Sequence, residues 1–167
     1  VLTFIIPQET YKRNSFFDDA RNMVTDVVYD RFGIDLQGNK SETEDDKAKV
    51  NATVGIGNGD EVITAPFTYF ASAEVISAVG ATPVFVDSLP DTWQMDPEDV
   101  RRKITLKTKA ILAVHLYGHP CNMDEISLIA HQHNIFLIED CAEAFGTLYK
   151  NRHVGTFSDI AIFSFYG

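Results

Sequence analysis

From Gly55 onward the chain repeats one pattern: short apolar runs bounded by Gly, Pro, Asp or Asn, with stretches of helical periodicity between several of them. The runs fall at 62–65, 83–86, 110–116, 136–139 and 160–165. Their length and bounding residues predict buried strands. The intervening stretches 68–79, 96–103 and 123–134 predict helices. The second is well punctuated, with Asp96 as N-cap, Pro97 at the first helical position and Glu98 and Asp99 in the first turn, where acids suit the helix dipole. Strands alternating with helices predict an α/β architecture, a mostly parallel sheet flanked by helices.

Residues 1–54 differ in character. Val1-Leu2-Thr3-Phe4-Ile5-Ile6 reads as a strand. Phe16, Ala20, Met23, Val24, Val27, Val28 and Phe32 then recur at helical spacing between acids and Arg21, which predicts one amphipathic helix. Asn14 or Ser15 would cap it and Gly33 would end it; 38–49 is polar and highly charged, like a linker. Two segments are therefore expected: a divergent one over 1–54 and an α/β one over 55–167.

Composition narrows the function. With 45% hydrophobic and 23% charged residues, the 167-residue chain can bury a substantial core. A net charge of −10 argues against nucleic acid or an anionic membrane as partner, since both need a cationic patch. No apolar stretch approaches the ~20 residues that span a bilayer. Two cysteines, Cys121 and Cys141, form neither a disulfide framework nor a metal-binding pair, so a reduced, cytoplasmic setting is the expectation. His131 and His133 stand two apart and point to different faces of a helix, and no metal site is expected. His115 and His119 flank a strand exit, where a turn or ligand-facing role is expected.

Ligands of open α/β sheets bind beyond the carboxyl ends of the strands. Thr68 and Tyr69, His115, Asp140 and Ser164 all fall at or near such ends. Asp140 closes a largely apolar run, and a buried carboxylate requires a cation or a set of hydrogen bonds. From the residues alone it could cap the next helix, bond backbone amides or face a ligand. Gly55-x-Gly57-x-Gly59 precedes a strand instead of joining a strand to a helix, so it reads as a turn and not a dinucleotide fingerprint.

Several segments in order carry a resemblance. They are Gly55-Ile56-Gly57-Asn58-Gly59-Asp60-Glu61-Val62-Ile63-Thr64, Pro66-Phe67-Thr68-Tyr69-Phe70-Ala71-Ser72-Ala73 and Gly80-Ala81-Thr82-Pro83-Val84-Phe85-Val86-Asp87. Further along stand His115-Leu116-Tyr117-Gly118-His119-Pro120, Met123-Asp124, Glu139-Asp140-Cys141-Ala142-Glu143-Ala144 and Phe163-Ser164-Phe165. Together they resemble the DegT/DnrJ/EryC1/StrS sugar aminotransferases, pyridoxal phosphate enzymes of the aspartate aminotransferase fold type. The resemblance implies that 55–167 forms part of the large domain of a fold-type I transferase.

The resemblance also implies roles. Asp140 matches the acid that pairs with the pyridine nitrogen, Tyr69 the aromatic that stacks on the ring, and Ser164 the serine that helps hold the cofactor phosphate. Glu143 stands where relatives commonly carry His or Gln beside the cofactor. The Schiff-base lysine comes within a few residues after Phe-Ser-Phe in the family, and the sequence ends at Gly167 before one. No catalytic residue is therefore expected within the chain. The family's phosphate-binding turn has its place at 47–54, where Thr53 is the nearest substitute. The implied substrates are an amino-acid donor and a nucleotide-linked keto sugar, and the implied assembly is a homo-oligomer or a pairing with a partner chain. The other reading is a catalytically inactive, truncated homologue acting as a binding or assembly partner. In either case apolar surface should be exposed for a partner or for the amphipathic N-terminal helix to cover.

Overall fold

Side chains of successive strand residues point to opposite faces of a sheet, and here both faces are apolar. The computed structural model of the protein describes residues 3–7 and 54–164. Its strands are β1 (Thr3–Pro7), β2 (Glu61–Thr64), β3 (Thr82–Phe85), β4 (Thr108–Val114), β5 (Phe136–Asp140), β6 (Leu148–Tyr149), β7 (Arg152–His153) and β8 (Ile160–Ser164). The helices are α1 (Ala71–Ala78), α2 (Pro97–Lys103) and α3 (Met123–His133), with a 3₁₀ turn at Leu116–Gly118. Six strands form one sheet in the order β1-β8-β5-β4-β2-β3. All neighbours are parallel except β1, which runs antiparallel to β8. β6 and β7 form a separate hairpin, closed through Lys150 and Asn151 in left-handed conformations.

Strand alternation divides the core. Ile63, Ile111, Ala113 and Leu137 pack with Val100 of α2 and with Met123, Ile126 and Ile129 of α3. Their neighbours Val62, Ala110, Leu112 and Ile138 pack with Ile76 of α1 on the opposite face. Each fully buried Ile or Leu contributes roughly 1.5–3 kcal/mol. The sheet is a middle layer, which is why its strands read as continuous apolar runs and not as alternating ones.

The predicted elements are present with shifted ends. α1 begins at Ala71, not at Thr68, because 66–70 form the turn leaving β2. β4 ends at Val114, and the last predicted residue of that run, Leu116, starts the 3₁₀ turn. Asp96 caps α2 by accepting the Glu98 amide at 2.9 Å, with Pro97 at the helix start. Asn134 ends α3 in a left-handed conformation at φ 51°. The opening strand is observed as β1, whereas the amphipathic helix predicted around Phe16–Phe32, the 38–49 linker and Thr53 lie outside the described residues. The glycine-rich segment is a turn: Gly55 and Gly59 have positive φ, and the Gly57 amide donates to Asp60 at 3.0 Å.

From β2 the chain steps to β3 on one side and then crosses back to build β4, β5 and β8 on the other. Parallel sheets bind ligands in the crevice at such a reversal, beyond the strands' carboxyl ends.

Candidate active site

Three strand ends meet at that crevice. β2 delivers the turn 65–70 and the start of α1, β4 delivers His115 and the 3₁₀ turn, and β5 delivers Asp140. Ser72, buried in the first turn of α1, reaches across to Asp140, with its hydroxyl 3.0 Å from Oδ2. Thr68 Oγ1 lies 3.3 Å from the same hydroxyl. The Ala142 amide donates to Asp140 Oδ1 at 3.1 Å.

Asp140 is thus held by one donor on each oxygen. An ionised carboxylate has about four acceptor sites. Two bonds therefore leave capacity for a further donor. Burial pushes the Asp140 carboxyl above its ordinary value; the Ala142 amide and the Ser72 hydroxyl pull it down, and Glu143 pushes it up again. A cationic donor in the crevice would supply what burial removes.

Glu139, unlike the partly buried Asp140, is fully buried, and there burial alone would raise the carboxyl. Its surroundings outweigh burial and hold it below the ordinary range. Oε1 accepts from His115 Nε2 at 3.1 Å and from the Gly155 amide at 2.6 Å, and Oε2 accepts from the Phe157 amide at 2.9 Å. His115, itself fully buried, accepts the Cys121 amide at Nδ1, 3.1 Å away. Burial disfavours the imidazolium, while the two cysteines and Glu139 favour it. The Cys121 N–H decides for the neutral ring, since a proton on Nδ1 would face another donor. His115 therefore serves the interior and spans the turn after β4 through the Cys121 amide, which fits the expected turn role and corrects the ligand-facing one, while His119 is exposed and lines a groove with Phe67, Trp93 and Tyr117.

Donor atoms of His115, Glu139 and Cys141 lie within 4.8 Å of one another. Both His115 nitrogens and both Glu139 oxygens are already spent on protein hydrogen bonds. Burial pushes the Cys141 thiol to about 11, so it stays protonated at neutral pH. The trio is a core network that ties β4, β5 and the segment before β8 together.

Of the expected site residues, Tyr69 lies on the turn into α1 with its side chain exposed, and its carbonyl accepts the Ser72 amide at 3.1 Å. Ser164 ends β8, two strands from β4, and is partly exposed. Glu143 is exposed and turned toward the 3₁₀ turn, where Oε2 accepts the Tyr117 amide at 2.8 Å. Tyr117 has φ 53°, so Glu143 steadies a residue in the sparsely populated left-handed region. Ser72 and the His115–Glu139 pair were not anticipated. The signal for the pair was available in Glu139, an acid inside an otherwise apolar strand run.

The exposed aromatics Phe67, Tyr69, Phe70, Trp93 and Tyr117 gather around the same end of the sheet, and Phe67 and Trp93 meet with ring centroids 5.1 Å apart. Among the described residues no helix is long and apolar enough to cross a membrane.

The chain is 59% identical over 114 residues to GDP-perosamine synthase of Escherichia coli O157:H7, covering 68% of the chain and 31% of that protein. It superposes on the structure of S. venezuelae DesV, solved with a ketimine intermediate, with a TM-score of 0.70 and 45% identity over 74% of the chain and 33% of DesV. Spr1654 of Streptococcus pneumoniae, solved in its PLP form, gives a TM-score of 0.69 at 35% identity, over 72% of the chain and 34% of that structure. The chain spans about a third of the length of the relatives it matches. Residues 47–167 match the DegT/DnrJ/EryC1/StrS aminotransferase family, and the chain belongs to that family.

Proposed function

We propose that this chain carries the pyridine-binding side of a pyridoxal phosphate site, in a protein that moves an amino group from an amino acid to a nucleotide-linked keto sugar. The observation that carries the reading is Asp140, a partly buried carboxylate at the carboxyl end of β5 beside the reversal of the sheet, fixed by Ser72 and Ala142 yet with acceptor capacity to spare. The similarity to GDP-perosamine synthase supports the sugar substrate class. Residues 55–167 form part of the transferase large domain in this reading, and 1–54 a divergent segment.

When bound, pyridoxal phosphate supplies an electron sink for the carbon that loses a proton. The chain's own residues hold and tune it. Asp140 would accept the ring N–H and favour that nitrogen's protonated form by the opposite-charge effect. Tyr69 offers an exposed ring as a stacking face. Ser164, at the end of β8, would offer its hydroxyl to the phosphate. Glu143 acts from the edge, through the Tyr117 turn and through its charge on Asp140. No residue of the chain is assigned as the Schiff-base lysine. In this reading the protein works as a homo-oligomer or with a partner chain in the cytoplasm, with small-molecule partners and neither nucleic acid nor membrane.

Titration of the chain with pyridoxal 5'-phosphate, followed by the circular dichroism induced in the cofactor band, tests the reading. Asp140→Asn should weaken binding by about tenfold or more. Equal affinity in the two chains would overturn it.

A further inference from the structure

We propose that Ser72, with Thr68 behind it, is a positioning residue for Asp140, fixing the plane in which that carboxylate meets a ligand. Ser72 Oγ lies 3.0 Å from Asp140 Oδ2, and Thr68 Oγ1 lies 3.3 Å from Ser72 Oγ. An ionised carboxylate only accepts hydrogen bonds. Ser72 must therefore donate to Asp140, which leaves its own lone pairs to accept the Thr68 hydroxyl. The pair forms a directed chain, Thr68 to Ser72 to Asp140, whose polarisation strengthens the last bond.

The geometry is specific because the Ala142 amide holds the other oxygen. With Oδ1 tied to its own strand exit and Oδ2 tied to α1, rotation of the carboxylate plane is arrested. The unused lone pairs then keep one direction. Without Ser72 the carboxylate swivels about the Ala142 contact and loses a donor that favours its charged form. Ser72 is 5% exposed, so water does not readily replace the lost hydroxyl. The link also couples α1 on one face of the sheet to the end of β5, across the end of β4. The titratable groups that act on Asp140 or are acted on by it are Glu143, in the turn after β5, His115, at the end of β4, and the neighbouring Cys141 thiol.

The importance of this direction for a cofactor rests on the proposed pairing of Asp140 with a pyridine nitrogen; the positioning itself does not. The test uses the 167-residue chain labelled with ¹³C at the aspartate carboxyls, with Asp140 assigned by its loss in Asp140→Asn. In Ser72→Ala the titration midpoint of Asp140 should rise by about one pH unit, the ordinary worth of a hydrogen bond to a charged group. Ser72→Thr should restore it, and Thr68→Val should produce a smaller rise while leaving Ser72 in place. An unchanged midpoint in Ser72→Ala, or in Thr68→Val should the alanine variant fail to fold, overturns the proposal. The same variants are then titrated with pyridoxal 5'-phosphate. A raised midpoint with weakened binding supports positioning toward the cofactor. A raised midpoint with unaltered binding supports the Ser72–Asp140 link and counts against the cofactor reading alone.

Discussion

Replacing Glu139 by Gln tests whether the interior network holds the strand ends together. The substitution keeps the volume and one carbonyl oxygen but turns the other acceptor into an NH₂ group. Either orientation sets donor against donor. At the Oε2 position the NH₂ meets the Phe157 N–H, and at Oε1 it meets both the Gly155 N–H and the imidazole N–H. The imidazole cannot yield by moving its proton to Nδ1, because the Cys121 amide already occupies that lone pair. The less costly placement loses the Phe157 bond and buries two unpaired donors. At roughly 1–3 kcal/mol for each such group, Glu139→Gln should destabilise the chain by about 2–6 kcal/mol. That is a large share of the roughly 5–15 kcal/mol that stabilises a typical domain. Urea unfolding followed by far-ultraviolet circular dichroism measures it, provided the two transitions have equal slopes. A midpoint shift worth less than about 0.5 kcal/mol would show that the network carries no stability of its own and would refute the reasoning.

Local geometry and charge give two further outcomes. Gly155 has φ 85°, and a Cβ there would come within 2.6 Å of Cζ of the buried Phe163, so Gly155→Ala should cost about 1–3 kcal/mol in the same unfolding assay. Asp99 accepts the Asp87 amide at 2.7 Å and pairs with Lys103 and Arg102, and these contacts hold its carboxyl at about 2 against an ordinary 3.8. Its folded value is depressed, so its contribution is complete above about pH 4 and disappears as the pH falls through about 2. Asp99→Asn should therefore lower the melting temperature at pH 7, with the gap to the native chain closing over that acid range.

Much of the architecture was legible in the sequence because burial on both faces leaves continuous apolar runs. Each run from 62–65 to 160–165 corresponds to a strand, and the Asp96-Pro97 and Met123–Asn134 punctuation located helices to within a residue or two. The β6–β7 hairpin was not legible: its turn uses Lys150 and Asn151 at positive φ, without the glycine that normally announces such a turn. The start of α1 was misplaced because helical periodicity runs back to Thr68, whereas 66–70 form the turn leaving β2, where the Thr68 hydroxyl meets Ser72.

At the site, Asp140 could be singled out because a carboxylate ending an apolar strand is costly without a partner. Glu139 carries an even stronger form of the same signal, being fully buried, but its partners are separated from it by 16 to 24 residues. His115 has the same difficulty: a histidine at a strand exit gives no sign in one dimension of whether its ring turns outward or in. Ser72 was invisible for a related reason. A serine in the first turn of a helix is ordinary, and only the fold brings it across 68 residues of sequence to Asp140.

The pairing of Asp140 with a protonated ring nitrogen is most directly measured by the ¹⁵N chemical shift of pyridine-labelled pyridoxal 5'-phosphate bound to the chain, a readout that needs no lysine. The account predicts a shift in the pyridinium range for the native chain at neutral pH, moving to the neutral pyridine range in Asp140→Asn. A bound ring whose nitrogen has the same shift in both chains would contradict it.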